Sequence, residues 1–430
     1  MKTDVSCRTT SRHLIRGLAA VALCGAPIAA QQLWIVDAAA GPGSQFTSIQ
    51  AAVDASQADD TVLVRSGSYA GFSIDGKGVR VIARDIVRVD GTVRIRNVPS
   101  RQTALLAGLQ LRATGFPNSF SALSLVSNAG SVWVQSSMLD GADAGDTSLD
   151  GGAGAFVDAS SAVHFTDCAV RGGKGGSVGG VLPITLGNGG RGIDVNESYV
   201  TLDACEVRGG SGGDQTSGGL IFAQGGEALS VRTATVDAQL CAFHGGAGGT
   251  TMFAPFGGQG GHGVYAIGDA SIARTSMCTS IAGEPGMPLS SPGQAYAAYS
   301  GAQIVITAPL FQPEPLSAPS CAAVGESTTV STGSLSQITP MIVFALISAD
   351  PTVAFDPGLV GLLLDPSASA LVVLGPSTSP TQDSFTWTIP ALPAGTEAVT
   401  TWLQLGSFAP LNPGLLLLSG VRSLTLTQQS

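Results

Sequence analysis

The chain has 430 residues, of which 44% are apolar and 12% charged, and its formal net charge is −10. That is enough apolar material for a large core and too little charge for charge-driven disorder. The acidic balance argues against nucleic acid as a partner.

Lys2, Arg8, Arg12 and Arg16 precede a short apolar stretch at 17–26, and Ile28-Ala29-Ala30 ends on small residues. This pattern predicts a signal peptide over 1–30, cleaved near Ala30, and a secreted or cell-surface location. The stretch is too short to span a membrane, and the later leucine run at 415–418 is shorter still, so no membrane span is expected. Cleavage would leave 16 basic residues against 29 acidic ones, a formal charge of −13, with Lys77 and Lys174 the remaining lysines.

Residues 34–111 begin with a strand near 34–37. Ser48 then caps a short helix with Ile49, Ala52 and Val53 on one face, and Asp60 leads into a strand at 62–64. Short period-two runs follow: Val93 and Ile95, Leu109 and Leu111, then Val132, Val134, Ser137 and Leu139. Three copies of one sentence come next, SAVHFTDCAVRGG, SYVTLDACEVRGG and ATVDAQLCAFHGG. They place Cys168, Cys205, Cys241 and, one copy later, Cys278 at intervals of 37, 36 and 37 residues. A strand-period unit recurring at this interval predicts an all-β chain, a right-handed parallel β-helix of about eight or nine coils ending near 308. Ser137 holds the cysteine position one coil earlier. Equivalent positions on successive coils lie about 4.8 Å apart. The cysteines can therefore form an inward ladder of thiols, disulfides between coils, or a metal site, although no C-x-x-C spacing supports the last.

Thirty-six of the 58 glycines lie between Gly141 and Gly293. They predict Gly-rich arms at 172–190, 209–226 and 245–261, leaving one corner of successive coils. Glycine serves such arms either through positive φ or through close backbone approach. Arg171, Arg208 and His244 stand at equivalent rung ends just before a glycine pair. They form a candidate row for an acidic sugar, or simply solvated strand ends. Asp140, Asp143, Asp146 and Asp150 put four carboxylates in a short loop, a candidate calcium site or a solvated acidic one. No other cofactor is expected.

Pro309, Pro313, Pro315 and Pro319 mark a linker over 309–323. Beyond it, 324–430 has strand patterns at 342–347, 359–364, 371–374, 385–389, 400–405 and 421–426, which predict a small C-terminal β-sandwich. The run TWTIPALPAGTEAVTTWLQLGSF resembles C-terminal modules of large secreted bacterial proteins.

The leading segment, through Phe46, Ile49, Gln50, Ala52, Val53, Asp60, Val62, Val64, Gly67 and Tyr69, resembles the N-terminal part of the pectin-lyase-like β-helix superfamily. The resemblance implies the β-helix fold but no one reaction, since that superfamily holds lyases, hydrolases, esterases and non-catalytic adhesins. Gly261-His262-Gly263 is similar to a triplet of the polygalacturonase-type hydrolases, but their N-T-D motif is absent. An earlier arm has GGRG, Gly189–Gly192, in the same place. Ala70 stands where pectinesterases often carry glutamate. The sequence therefore reads as an exported scaffold of the cell envelope or extracellular space, binding polysaccharide along the β-helix flank, with no catalytic residue named. The rival is a polysaccharide lyase or glycoside hydrolase, which would need carboxylates and bases converging in one groove.

Overall fold

The computed structural model describes residues 31–114, 121–145, 149–177, 186–214, 223–251, 256–287 and 290–307. In the C-terminal part it describes 316–318, 321–323, 326–333, 342–348, 353–356, 361–364, 369–376, 382–388, 392, 398–409 and 412–427. The expected signal peptide at 1–30 and much of the expected linker lie outside the described residues.

The chain is a parallel β-helix with three faces. The first face stacks Leu33–Val36, Thr61–Val64, the first halves of Arg80–Asp90 and Thr103–Arg112, Ser131–Gln135, Ala162–Thr166, Tyr199–Asp203, Thr235–Gln239, Ile272–Ser276 and Gln303–Thr307. That is one or two rungs more than the sequence suggested. The second face runs from Gly67–Ala70 to Thr279–Ile281, and the third from Ser73–Asp75 to Tyr296–Tyr299. Inward positions such as Val163, Phe165, Val200, Leu202 and Val236 are fully buried in one continuous core. The helix Ile49–Ala55 contributes buried Ile49, Ala52 and Val53 to that core. Ser48 occupies its N-cap but makes no side-chain cap hydrogen bond.

Two corners turn on single residues in the left-handed region. Between the first and second faces these are Ser136, Asp167, Ala204, Leu240 and Met277, with φ of 46, 55, 52, 53 and 55°. Such backbone costs L-residues about 1 kcal/mol or more. Here it keeps the ladder intact, because the amides of Asp167 and Ala204 donate to Asp203 O (2.8 Å) and Gln239 O (3.1 Å) of the next coil. The next residue then points inward, and these residues are Ser137, Cys168, Cys205, Cys241 and Cys278. Each side chain donates to the carbonyl two residues back, from Ser137 Oγ to Gln135 O (2.8 Å) through Cys278 Sγ to Ser276 O (3.3 Å). The cysteines are free thiols in register. Burial pushes the Cys168 and Cys241 thiols up, which keeps them protonated. The corner between the third and first faces carries a second inward ladder that the sequence reading missed. In it Asn128 Nδ2 donates to Ser160 Oγ (3.2 Å) and Ser160 N to Ser198 Oγ (2.9 Å).

The C-terminal part forms separate sheets of five, three and two strands, antiparallel except for the pairing of Cys321–Ala323 with Asn412–Thr427. Two strands fall inside the expected linker. Leu316–Ser317 pairs with Ser327–Gly333, and Cys321–Ala323 with the last strand, so the proline spacing overstated the linker. This part is also sealed against the coil stack. Leu33, Ile35, Leu63, Ile82, Leu105, Ala107 and Trp133, on the outer side of the first face, share one buried cluster with Leu346, Ala398 and Trp402. The Trp133 and Trp402 rings lie 6.0 Å apart. Beside them, Ser423 N and Oγ donate to Gln135 Oε1 (2.7 and 2.8 Å), and Gln135 Nε2 donates to Ser423 O (3.1 Å). Buried Arg422 pairs with Asp167 at 3.3 Å.

Replacing Trp402 with Ala should therefore cost about 3–5 kcal/mol. Because the cluster spans both parts, their unfolding followed by separate probes should remain one transition in the parent. Two well-separated transitions in denaturant would contradict this shared core.

The first face also predicts a pH dependence. His164 is buried against Trp133 at 4.4 Å, with Nδ1 2.6 Å from Thr201 Oγ1, and burial lowers its pKa to about 3. Between that value and 6.5 the unfolded chain holds the extra proton, so this contribution is complete above 6.5 and lost as pH falls toward 3. Asp203 acts oppositely. Burial raises it to about 6, so its contribution is complete below 3.8 and lost as pH rises through 6. In denaturation at a series of pH values, His164→Gln should reduce the acid slope by up to about 1.4 kcal/mol per pH unit. Asp203→Asn should steepen the rise of stability between pH 4 and 6. An unchanged slope in His164→Gln would refute the assignment.

Candidate functional site

The Gly-rich arms leave the corner between the second and third faces in every coil from Asp140 onward. Each has an outgoing and a returning run, written in triplets of one variable residue and two small ones: Arg171-Gly172-Gly173, Lys174-Gly175-Gly176, and returning Asn188-Gly189-Gly190. The amides follow the same period. The second glycine donates across the bundle, alternating between layers: Gly173 N to Gly152 O, Gly190 N to Gly173 O, Gly210 N to Gly190 O and Gly226 N to Gly210 O, each at 2.8 Å. The first glycine donates sideways to the next coil, as Gly172 N to Arg208 O (2.9 Å), Gly209 N to His244 O (2.8 Å) and Gly189 N to Gln224 O (2.8 Å). Three residues per turn with all backbone bonds made to neighbours is the period of a polyproline II strand, used here as a two-layer bundle.

This decides why the arms are glycine. None of the bundle glycines named above lies in the left-handed region, whereas an added Cβ at Gly173, Gly190, Gly210 or Gly226 would overlap the carbonyl oxygen of a neighbouring strand. Close approach, not positive φ, is the requirement.

The variable residues face outward in columns, one per coil. Several of their amides are satisfied by the side chain of the coil before. Lys174 N donates to Asp143 Oδ1 (2.7 Å), Asn188 N to Asp150 Oδ1 (2.6 Å), Gln224 N to Asn188 Oδ1 (2.8 Å) and Thr250 N to Asp214 Oδ1 (3.0 Å). Gln294 N donates to His262 Nδ1 at 2.9 Å in the same way. His262 is thus a bundle residue, with one ring nitrogen already occupied and its pKa lowered by burial.

The sequence-predicted residues fall into this frame. Arg171, Arg208 and His244 form one column in register with Asp140, at the foot of the outgoing layer. Arg208 pairs with Glu206 of its own strand. Asp140 and Asp143 stand on the outgoing layer and Asp150 on the returning one, the last two engaged with backbone amides; Asp146 lies outside the described residues. Among the described residues no group of three or more His, Cys, Asp or Glu side chains is placed to hold a metal ion. Asp140, Asp143 and Asp150 are thus divided between the two layers.

The bundle creates a groove on each side of its base. One, of about 580 Å³, lies against the second face between Arg88, Arg112, Met138, Asp140 and Arg171. The other, of about 570 Å³, lies against the third face. Its floor is Arg94, Ser124, Phe156 and Asp194, and its wall Asp150, Asn188, Arg191, Gln224 and Glu227. Arg191 pairs with Glu227 (3.0 Å) and Asp194 (3.4 Å), and Arg232 with Asp194 (2.6 Å). Farther along the same face His262 stacks on Tyr265 at 5.4 Å and 8°, with Tyr299 5.6 Å from Tyr265. Sequence reasoning missed this side. Its signal was the outward position of the third-face strands, which reads Phe156, Asp194, Ser230 and Tyr265.

No family model and no curated protein matches the chain. Among solved structures it is similar to the enzymatically active domain of bacteriophage CBA120 tailspike protein 4, at 10% identity and a TM-score of 0.19. That likeness covers 85% of this chain and 64% of the tailspike chain, just under two thirds of it. It is also similar to the receptor-binding domain of the siphovirus 9NA tailspike, at 9% identity and a TM-score of 0.15, covering 88% and 96%. Likenesses at these scores carry no weight for what the chain binds.

The bundle makes a direct prediction. Gly210→Ala must displace the strand of Gly173 and should cost about 2–3 kcal/mol. Ser211→Ala, one residue away on the outward column, should change stability by less than about 0.5 kcal/mol. Equal effects of the two changes in thermal or urea unfolding would overturn the packing assigned to the arms.

Proposed function

We propose that the protein is an exported, non-catalytic scaffold of the cell envelope or extracellular space that binds polysaccharide in the groove between the arm bundle and the third face. The observation that carries this reading is the groove itself. It is an open polar channel on a rigid stack, floored by a partly exposed aromatic ring at Phe156 and walled by carboxamides and fixed ion pairs. Flat rings that cover sugar faces, with positioned polar groups beside them, are what a carbohydrate surface requires. The leading segment, with Phe46 bridged to Val36 and its helix packed into the core, supports counting the chain with the pectin-lyase-like superfamily. The five- and three-stranded C-terminal sheets support reading that part as a β-sandwich. The basic start of the chain supports export.

An enzyme would need carboxylates able to exchange protons or attack. Asp194 and Glu227 are each held by arginine, and His262 Nδ1 is held by Gln294 N, which supports a binding role. The test is to incubate the purified mature chain with soluble plant, algal and bacterial polysaccharides, measuring retention by affinity electrophoresis and product release over time. Retention without release is the expected result. Steady release of unsaturated or reducing ends that disappears in His262→Ala or Asp194→Asn would establish the lyase or hydrolase instead.

A further inference from the structure

Resting on that reading, we infer that the third-face groove is selective for neutral, linear polysaccharide lying along the stack, with rings at Phe156 and Tyr265 gripping its two ends. Phe156, Asp194, Ser230 and Tyr265 occupy one outward column in successive coils. Three coil spacings separate the two rings, about 14 Å. A pyranose in an extended chain advances by about one strand spacing, so the four coils of the column take about four sugars, one per coil. At the far ring, His262 stacks parallel to Tyr265 and Tyr299 stands beside it, which makes a broad platform.

The charges choose the class of sugar. A uronate needs a cation free to meet its carboxylate. Along this column Arg191 is matched by Asp194 and Glu227, and Arg232 by Asp194. Asp150 adds a further negative charge to the wall. Ser230, between Asp194 and Tyr265, is fully buried and adds no charge to the column. The row first suggested by sequence, Arg171, Arg208 and His244, lies on the other side of the bundle and takes no part.

The experiment is calorimetric titration of the full mature chain with neutral linear hexasaccharides of glucose, mannose and xylose, and with hexamers of galacturonate and mannuronate. At least one neutral hexamer should bind and the uronates should not. Phe156→Ala and Tyr265→Ala should each weaken binding by about tenfold or more. Arg171→Ala should leave it unchanged, and a neutral disaccharide should bind far more weakly than the hexamer. Melting curves of each variant establish that it is folded. Preference for a uronate, ring variants that bind like the parent, or loss of binding in Arg171→Ala would overturn this site while leaving a glycan-binding scaffold in place. No binding to any neutral or acidic glycan would overturn both.

Discussion

The close approach of backbone to backbone in the glycine bundle governs what this molecule can present to its surroundings. In Asn188-Gly189-Gly190 the three amides each go to a different place: back to the Asp150 side chain of the coil before, sideways to the next coil, and across the bundle. No donor of such a triplet is left to solvent, which is what allows strands without a β-ladder to be packed at all. The cost is that two of three positions cannot carry a Cβ pointing at a neighbour's carbonyl. The third must carry everything else, both the hydrogen bond to the following coil and any chemistry offered to a ligand. Asp, Asn, Ser and His recur there because a short acceptor can reach the next amide.

That bundle could not stand alone, because strands of this kind lack an apolar face of their own. The coil stack supplies the register. Left-handed residues at two corners keep each coil nearly identical in path, so Arg171 sits over Arg208, and Asn188 sits over Gln224, where its Oδ1 accepts from the Gln224 amide. The inward ladders of Ser and Cys at one corner, and of Asn and Ser at the other, satisfy the amides that the corners would otherwise strand in the core. Coil regularity thus passes outward into arm regularity, and the grooves at the foot of the bundle inherit a fixed spacing.

The rungs were legible in the sequence because alternation and the cysteine interval report the same geometry twice. The arms were legible as insertions, but their cause was not. Glycine counts do not separate positive φ from close approach, and the triplet period is visible only when Lys174-Gly175-Gly176 is read beside the matching run of the next coil. The docking of the C-terminal sheets left a trace that alternation obscured. Strands at Val62, Val81, Leu105 and Val132 are apolar on both sides, the pattern of a strand buried on both faces. Later strands carry His164, Thr201 and Asp237 outward instead. The third-face column was missed for a different reason. Its members are 35–38 residues apart and unlike one another, so no repeat search gathers Phe156, Asp194, Ser230 and Tyr265 until the register is known.

The two grooves differ in a way that follows from this construction. On the second face, the arginines stand in a column beside exposed strand ends, where charge is screened and partners are loose. On the third face, Asp194 is buried and receives two arginines from different coils, so its neighbours are held by geometry rather than by flexible attraction. Rigid side chains lose less conformational freedom when a ligand arrives, and aromatic rings lose little in any case. A surface meant to hold a repeating polymer gains from having the same offset between every contact, and here that offset is set by strand spacing. The third face combines fixed ion pairs, rings and one spacing, and for that reason it, rather than the arginine row that the sequence made conspicuous, is where the fold is best prepared for a ligand.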